Sequence, residues 1–345
     1  IDGFDIQGFG EIPVVDRGRV KPMDTLARTA LLSMSTKPSF RTDGERGPLE
    51  RKRAAGLDRS PALRWLLDTA TRPRVARGYE VIRIDHPDVL GLLGLERDRK
   101  YFAVHELLEN GEELDRQIRA AASVESRHRT PFQRKMLQLS QRLNAYLYVE
   151  NASELLAVPP ESDSNPEDWK TLVEAAAHEP HEGPHDHAPP DPAVGYLSSA
   201  FTAWDSGDAS EFNAAVAGYH ANLDERIPER MRRVRFESFF YHFAPFVQTM
   251  GLYVFAFILA TLSWLWVGWS GSLSRAALGV LIVGAIVHTF GLVARVYIQE
   301  RPPVTNLYSS ALLVGWGAVV LGAFLERWYR NGVGVVVGAV MGFLS

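Results

Sequence analysis

The chain contains no cysteine, which excludes disulfide bonds, thiolate metal sites and cysteine nucleophiles together without fixing the compartment. It has neither an initial methionine nor the pattern of a signal peptide, and it stops inside an apolar run. It therefore reads as an excised piece of a longer protein. The first 235 residues show no nucleophile, acid pair or phosphate loop spaced for catalysis, and their many Asp, Glu and Arg residues read as ordinary surface.

What is present divides sharply near residue 236. Phe236 to Ser345 holds three acids (Glu237, Glu300, Glu326) and five bases (Arg275, Arg295, Arg301, Arg327, Arg330), a net of +2. Of the 37 bases and 41 acids in all, 32 and 38 remain for residues 1–235, a net of −6. The near-zero mean hydropathy describes neither part.

Three apolar runs dominate the second part. Phe246 to Val267 and Ser309 to Leu325 carry no charge, and Ala276 to Ile298 is interrupted only by His288 and Arg295. Each is long enough to cross, or nearly cross, a bilayer core of about 30 Å at roughly 1.5 Å per helical residue. A fourth run, Val333 to Leu344, is cut off by the end of the chain. The fold class expected is mainly α. A mostly helical soluble domain over 1–235 precedes a truncated transmembrane bundle over 236–345, with three complete helices and the start of a fourth.

In the first part an N-terminal segment of Gly and β-formers precedes Pro22, which opens a helix with Met23, Leu26, Ala30, Leu31 and Met34 on one face. Residues 41–59 read as a solvated loop, and Ser60-Pro61 starts a helix carrying Leu63, Leu66 and Leu67. Tyr79 to Ile84 is the best strand candidate. Residues 101–125 read as two helices around Asn110-Gly111, and Thr130-Pro131 caps a longer one to about Leu156, with Met136, Leu139, Leu143 and Leu147 on one stripe. Asn165-Pro166 caps another, and Asp208 with Glu211 resembles a capping box. Residues 176–193, rich in proline and histidine, read as a disordered loop. Nothing fixes a metal geometry for its His178, His181, His185 and His187.

Ionisable groups inside a span cost a few kcal/mol each on insertion scales, so they usually face the bundle interior or a functional group. His288 and Arg295 lie two turns apart on nearly one face, with Gln299 one turn further. Arg295 is near enough to its helix end to snorkel; His288 is not. A buried imidazole has three uses: a hydrogen bond to a neighbouring helix, proton relay, or ligation of a metal such as haem iron. His242, at the entrance to the first span, either packs at the interface or is a second candidate. Pro302-Pro303 ends the second span, Asn306 caps the next helix, and Trp264, Trp266 and Trp269 read as an interfacial belt.

The run HTFGLVARVYIQERPPVTNLYSSALLVGW resembles the early transmembrane hairpin of CcsA/ResC-type cytochrome c biogenesis proteins, matching it at Arg295, Tyr297, Arg301, Pro303, Thr305, Asn306, Tyr308 and Ser310. The acid usual between Tyr and Ser is Ser309 here, so no role of that acid carries over. Ile12 to Arg28 (IPVVDRGRVKPMDTLAR) resembles the segment preceding the membrane region in larger fused members, and RFESFFYHFAPF extends the likeness.

The resemblance implies a System II component that carries haem b through the bacterial inner membrane and presents it for covalent attachment to apocytochrome c. It implies a ResB/CcsB-type partner or fused domain, and His288, Arg295 and His242 as haem-contacting residues, with His288 the iron ligand. The family acts as a holocytochrome c synthase. The tryptophan-rich WWD segment that presents haem does not occur here, so the piece is not expected to catalyse attachment alone. No nucleic-acid partner is expected. Arg230, Arg232, Arg233 and Arg235 beside the first span favour a cytoplasmic side by charge counting. The resemblance places the soluble part outside, in the periplasm, and that orientation is adopted. The alternatives are a transporter or receptor with a ligand-binding soluble domain, and a structural anchor.

Overall fold

A computed structural model of the chain describes residues 3–38, 40, 61–160, 168–177, 191–304 and 306–345. The loop expected at 41–59, the caps Ser60 and Asn165-Pro166, motif residue Thr305 and most of the His/Pro-rich loop lie outside the described residues. The chain divides into two compact units, Ile1–Ser238 and Phe239–Ser345.

The first unit is helical around a small antiparallel sheet ordered β2-β1-β5-β6. β1 (Pro13–Asp16) and β2 (Arg19–Pro22) form a hairpin in which Asp16 faces Arg19. The two loop residues, Arg17 at φ 53° and Gly18 at φ 73°, both lie in the left-handed region that matches the twist of a two-residue hairpin. β5 (Leu156–Val158) pairs with β1 at Val15, and β6 (Lys170–Thr171) pairs with β5. β3 (Glu80–Arg83) lies within the expected strand and pairs with β4 (Tyr101–Ala103).

Helix Met23–Ser35 buries Met23, Leu26, Leu31 and Met34, and helix Pro61–Thr71 buries Leu63, Leu66 and Leu67. Two readings change. The helix capped by Thr130 ends at Glu150, because the chain turns at Asn151 and residues 156–158 are drawn into the sheet. Its buried stripe runs through Met136, Leu139, Arg142, Tyr146 and Val149, while Leu147 is exposed. The first of the two helices around Asn110-Gly111 starts only at Val104, since Tyr101–Ala103 is taken by strand pairing. Asp208 caps its helix, its carboxylate accepting from the Ser210 and Glu211 amides at 2.9 and 3.0 Å, but the capping box with Glu211 does not close, because the Asp208 amide donates to the Ala203 carbonyl instead.

Two buried carboxylates of this core are well paired. Asp68, 4% exposed, accepts from Tyr79 Oη at 2.8 Å and Trp204 Nε1 at 2.9 Å. Glu237, 2% exposed, accepts from both Nη atoms of Arg19 and from the Thr25 hydroxyl at 3.1 Å. An unpaired carboxylate at either depth would be costly.

In the second unit three helices are long and apolar enough to cross a membrane. The apolar stretch leading into the first counts from Pro228, but Ala244 takes a left-handed conformation (φ 45°) that divides it. The crossing segment is therefore Pro245–Leu265, about 32 Å long. The second span is Ser270–Gln299 and the third Leu307–Tyr329; the apolar helix Val333–Leu344 follows. Ile286, Val293 and Val314 are each 63% exposed, as side chains facing lipid would be.

Small residues let these helices approach. A Cβ built on Gly322 would sit 2.5 Å from the Gly334 carbonyl, and one on Gly334 would sit 2.5 Å from the Gly322 carbonyl. Glu326, 2% exposed, accepts from the amides of Gly332 at 2.9 Å and Gly334 at 3.2 Å, closing the start of the last helix. Trp264, Trp266 and Trp269 are exposed at the end of the first span, in keeping with an interfacial belt.

Candidate functional site

His288 lies within the second span at 1% exposure. Its Nδ1 is hydrogen-bonded to Tyr253 Oη of the first span at 3.0 Å, and the Phe246 ring meets it edge-on at 5.8 Å. Tyr253 is itself held between two glycines: Cβ atoms on Gly284 and Gly342 would fall 2.7 and 2.6 Å from opposite edges of its ring. The Leu312 backbone lies beside His288, yet Nε2 forms no hydrogen bond of ordinary geometry.

The bond to Tyr253 is the helix-to-helix contact that was one of the three uses open to this imidazole. It also orients the ring. Tyr253 Oη can donate to Nδ1 or accept from it, and only when Nδ1 carries the proton does Nε2 keep the lone pair that a metal requires. In that tautomer the donor chemistry fits haem iron. Access does not follow, because the ring is enclosed and neither described cleft of this unit is lined by it.

Arg295 lies about one turn from the C-terminal end of the same helix. Its guanidinium lies over the Tyr308 ring at 5.1 Å from the centroid, so it stacks on the first turn of the third span. It lines a narrow cleft with Gln299, Arg301, Pro303 and Ser309. Asn306 caps the third span as read, its Oδ1 accepting from the Ser309 amide at 2.8 Å and hydroxyl at 2.9 Å. The motif thus works locally as a turn that stacks, caps and displays two guanidinium groups. His242 is exposed in the last turn of helix Pro228–Phe243. Among the described residues no group of three or more His, Asp or Glu is placed to hold a metal ion.

Sequence reasoning missed Tyr253, whose hydroxyl in an otherwise apolar stretch was the available signal. It also missed Glu237, which joins Arg19 and Thr25 of the N-terminal motif to the RFESFFYHFAPF segment. The other charged motif residues pair nearby, Lys21 with Asp16 and Arg28 with Asp24.

No family model matches the chain. The chain is similar to Protein NrfI of Wolinella succinogenes. The two are 24% identical over 326 residues, which cover 92% of this chain and 34% of NrfI. The likeness to NrfI therefore takes in residues of both units, and the chain spans about a third of the length of that relative.

Proposed function

We propose that the chain is a membrane component of cytochrome c biogenesis that takes part in haem transport and presentation for covalent attachment to apocytochrome c. The hairpin and N-terminal motifs support this reading, as does the similarity to NrfI along most of the chain. The observation that carries it is His288, an ionisable imidazole enclosed within a span and fixed by Tyr253 through Nδ1. Placing an ionisable group at this depth costs a few kcal/mol on insertion scales. Such a cost in a membrane helix points to use.

In this reading His288 contacts haem b, and Arg295 with Arg301 offers guanidinium groups to its carboxylates near the membrane surface. His242 is a further contact on the approach to the first span. The partners are apocytochrome c and a ResB/CcsB-type chain or fused domain. The protein sits in the bacterial inner membrane with the soluble unit on the periplasmic face.

The test is the haem content of the natural full-length protein purified in mild detergent, alongside covalent haem on a co-expressed apocytochrome c. The wild type should carry haem, and His288→Ala should lower its haem affinity by about tenfold or more. A wild type without haem that matures no cytochrome overturns the function, and an unchanged His288→Ala overturns the ligand assignment.

A further inference from the structure

A second polar site lies in the Ile1–Ser238 unit and is independent of the haem reading. Arg142 projects from the buried face of helix Pro131–Glu150 and is only 9% exposed. It lines a cleft with Arg83, Asp85, His86, Lys135 and Gln138. A guanidinium at this depth calls for a counter-charge, because burying an uncompensated ion is among the costliest arrangements in a protein.

Among the described residues no carboxylate forms an ion pair with Arg142, and only Asp85 attracts it from further off. One Nη of Arg142 donates to the Arg83 carbonyl, a neutral acceptor. Asp85 is the acid of the cleft, and it is already engaged by Arg83 Nε at 2.9 Å. Lys135 donates to the Gln138 amide oxygen at 3.0 Å, another neutral acceptor. His86 Nδ1 is buried without a hydrogen bond, and the nearby Asp88 carboxylate stands 3.9 Å away. Three cations against one carboxylate leave the cleft positive. Desolvation pulls the Arg142 pKa below the usual arginine value, with Asp85 opposing. The open space is about 10 Å³, enough for one water-sized atom.

We propose that this cleft binds an oxyanion, a carboxylate or phosphate group, one of whose oxygens enters to meet Arg142 while Lys135 and Arg83 hold the rest at the rim. The guanidinium nitrogens of Arg142 not used by the Arg83 carbonyl can donate to an oxygen of either group. An oxygen is also what the space admits.

The experiment follows thermal melting of the whole chain in detergent micelles at constant ionic strength, exchanging chloride for inorganic phosphate or for citrate. The wild type should gain melting temperature saturably with one or both anions. Arg142→Met should melt no lower than the wild type in chloride, because the change removes an uncompensated charge. It should also lose the saturable response. Lys135→Gln, at an exposed position, should keep the wild-type melting temperature in chloride yet need about tenfold more anion. A response to phosphate alone or citrate alone identifies the source as phosphate-bearing or carboxylate-bearing. Both salts also stabilise proteins generally by exclusion from their surfaces. A non-saturating rise shared by wild type and Arg142→Met therefore overturns the proposal. If Arg142→Met fails to fold, Lys135→Gln decides, and an unchanged anion requirement there overturns it equally.

Discussion

Arg19 and Glu237, 218 positions apart, meet in a two-pronged ion pair, Nη1 to Oε2 at 2.6 Å and Nη2 to Oε1 at 3.0 Å. Thr25 supplies a third donor to the same carboxylate. Hairpin and N-terminal helix are thereby fastened to helix Pro228–Phe243. Glu237→Met should destabilise the unit by about 3 kcal/mol, because Arg19 and Thr25 lose their acceptor. Arg19 keeps partial solvent access, which limits the loss. The double variant Arg19→Met/Glu237→Met should recover part of the stability, so that a double-mutant cycle from denaturant melts gives a coupling of about 1–3 kcal/mol. Additive effects would show that the pair is not coupled.

The soluble unit should lose stability in alkali. Burial is the chief cause holding the hydroxyls of Tyr79, Tyr146 and Tyr219 above the ordinary tyrosine value of 10.0. The native chain keeps protons that the unfolded chain releases, so their contribution is intact below about pH 10 and is lost as pH rises further. Unfolding free energy should fall above about pH 10 by up to about 1.4 kcal/mol per pH unit for each tyrosine. Tyr146→Phe should make that slope shallower, and phenolate absorbance should rise together with unfolding. Phenolate formation in the folded protein near pH 10 would contradict the prediction.

In the membrane unit, Tyr253→Phe removes the hydroxyl from His288 and keeps the ring. The expected cost is about 1 kcal/mol, the usual size of an interhelical hydrogen bond in lipid. Gly342→Leu should cost more, about 1–3 kcal/mol, because its side chain meets the ring and cannot be accommodated without moving a helix. Unfolding by denaturing detergent would rank the two, and a Gly342→Leu variant as stable as the wild type would refute the packing described.

Gly322 and Gly334 test the last helix pair. Their reciprocal approach to one another's carbonyl oxygen leaves no space for a methyl group. Gly322→Ala should separate the third span from the helix Val333–Leu344, and an introduced cysteine pair across this seam should then cross-link several-fold more slowly. An unchanged cross-linking rate would show that the two backbones are not in contact.

The spans were readable because apolar runs of that length have few other uses, and the caps Thr130, Asp208 and Asn306 because capping is local chemistry. Strands β1, β5 and β6 were not. They are two to four residues long, and Val15 meets Leu156 only once the intervening helices have folded. His288 stood out as an ionisable group within apolar sequence, whereas its partner Tyr253 depends on how two helices rotate about their axes. Arg142 was hidden for the converse reason. Placed between Leu139 and Tyr146 on a buried face, it has the identity of a surface residue, and only the packing shows otherwise.

Glu326 has a consequence for how the chain is made. Synthesis delivers Glu326, in the last turn of the third span, before the amides of Gly332 and Gly334, so the carboxylate gains these two donors only once the turn has followed it. The hairpin of the third span and the following helix can therefore lock at its turn only after residue 334 has been made.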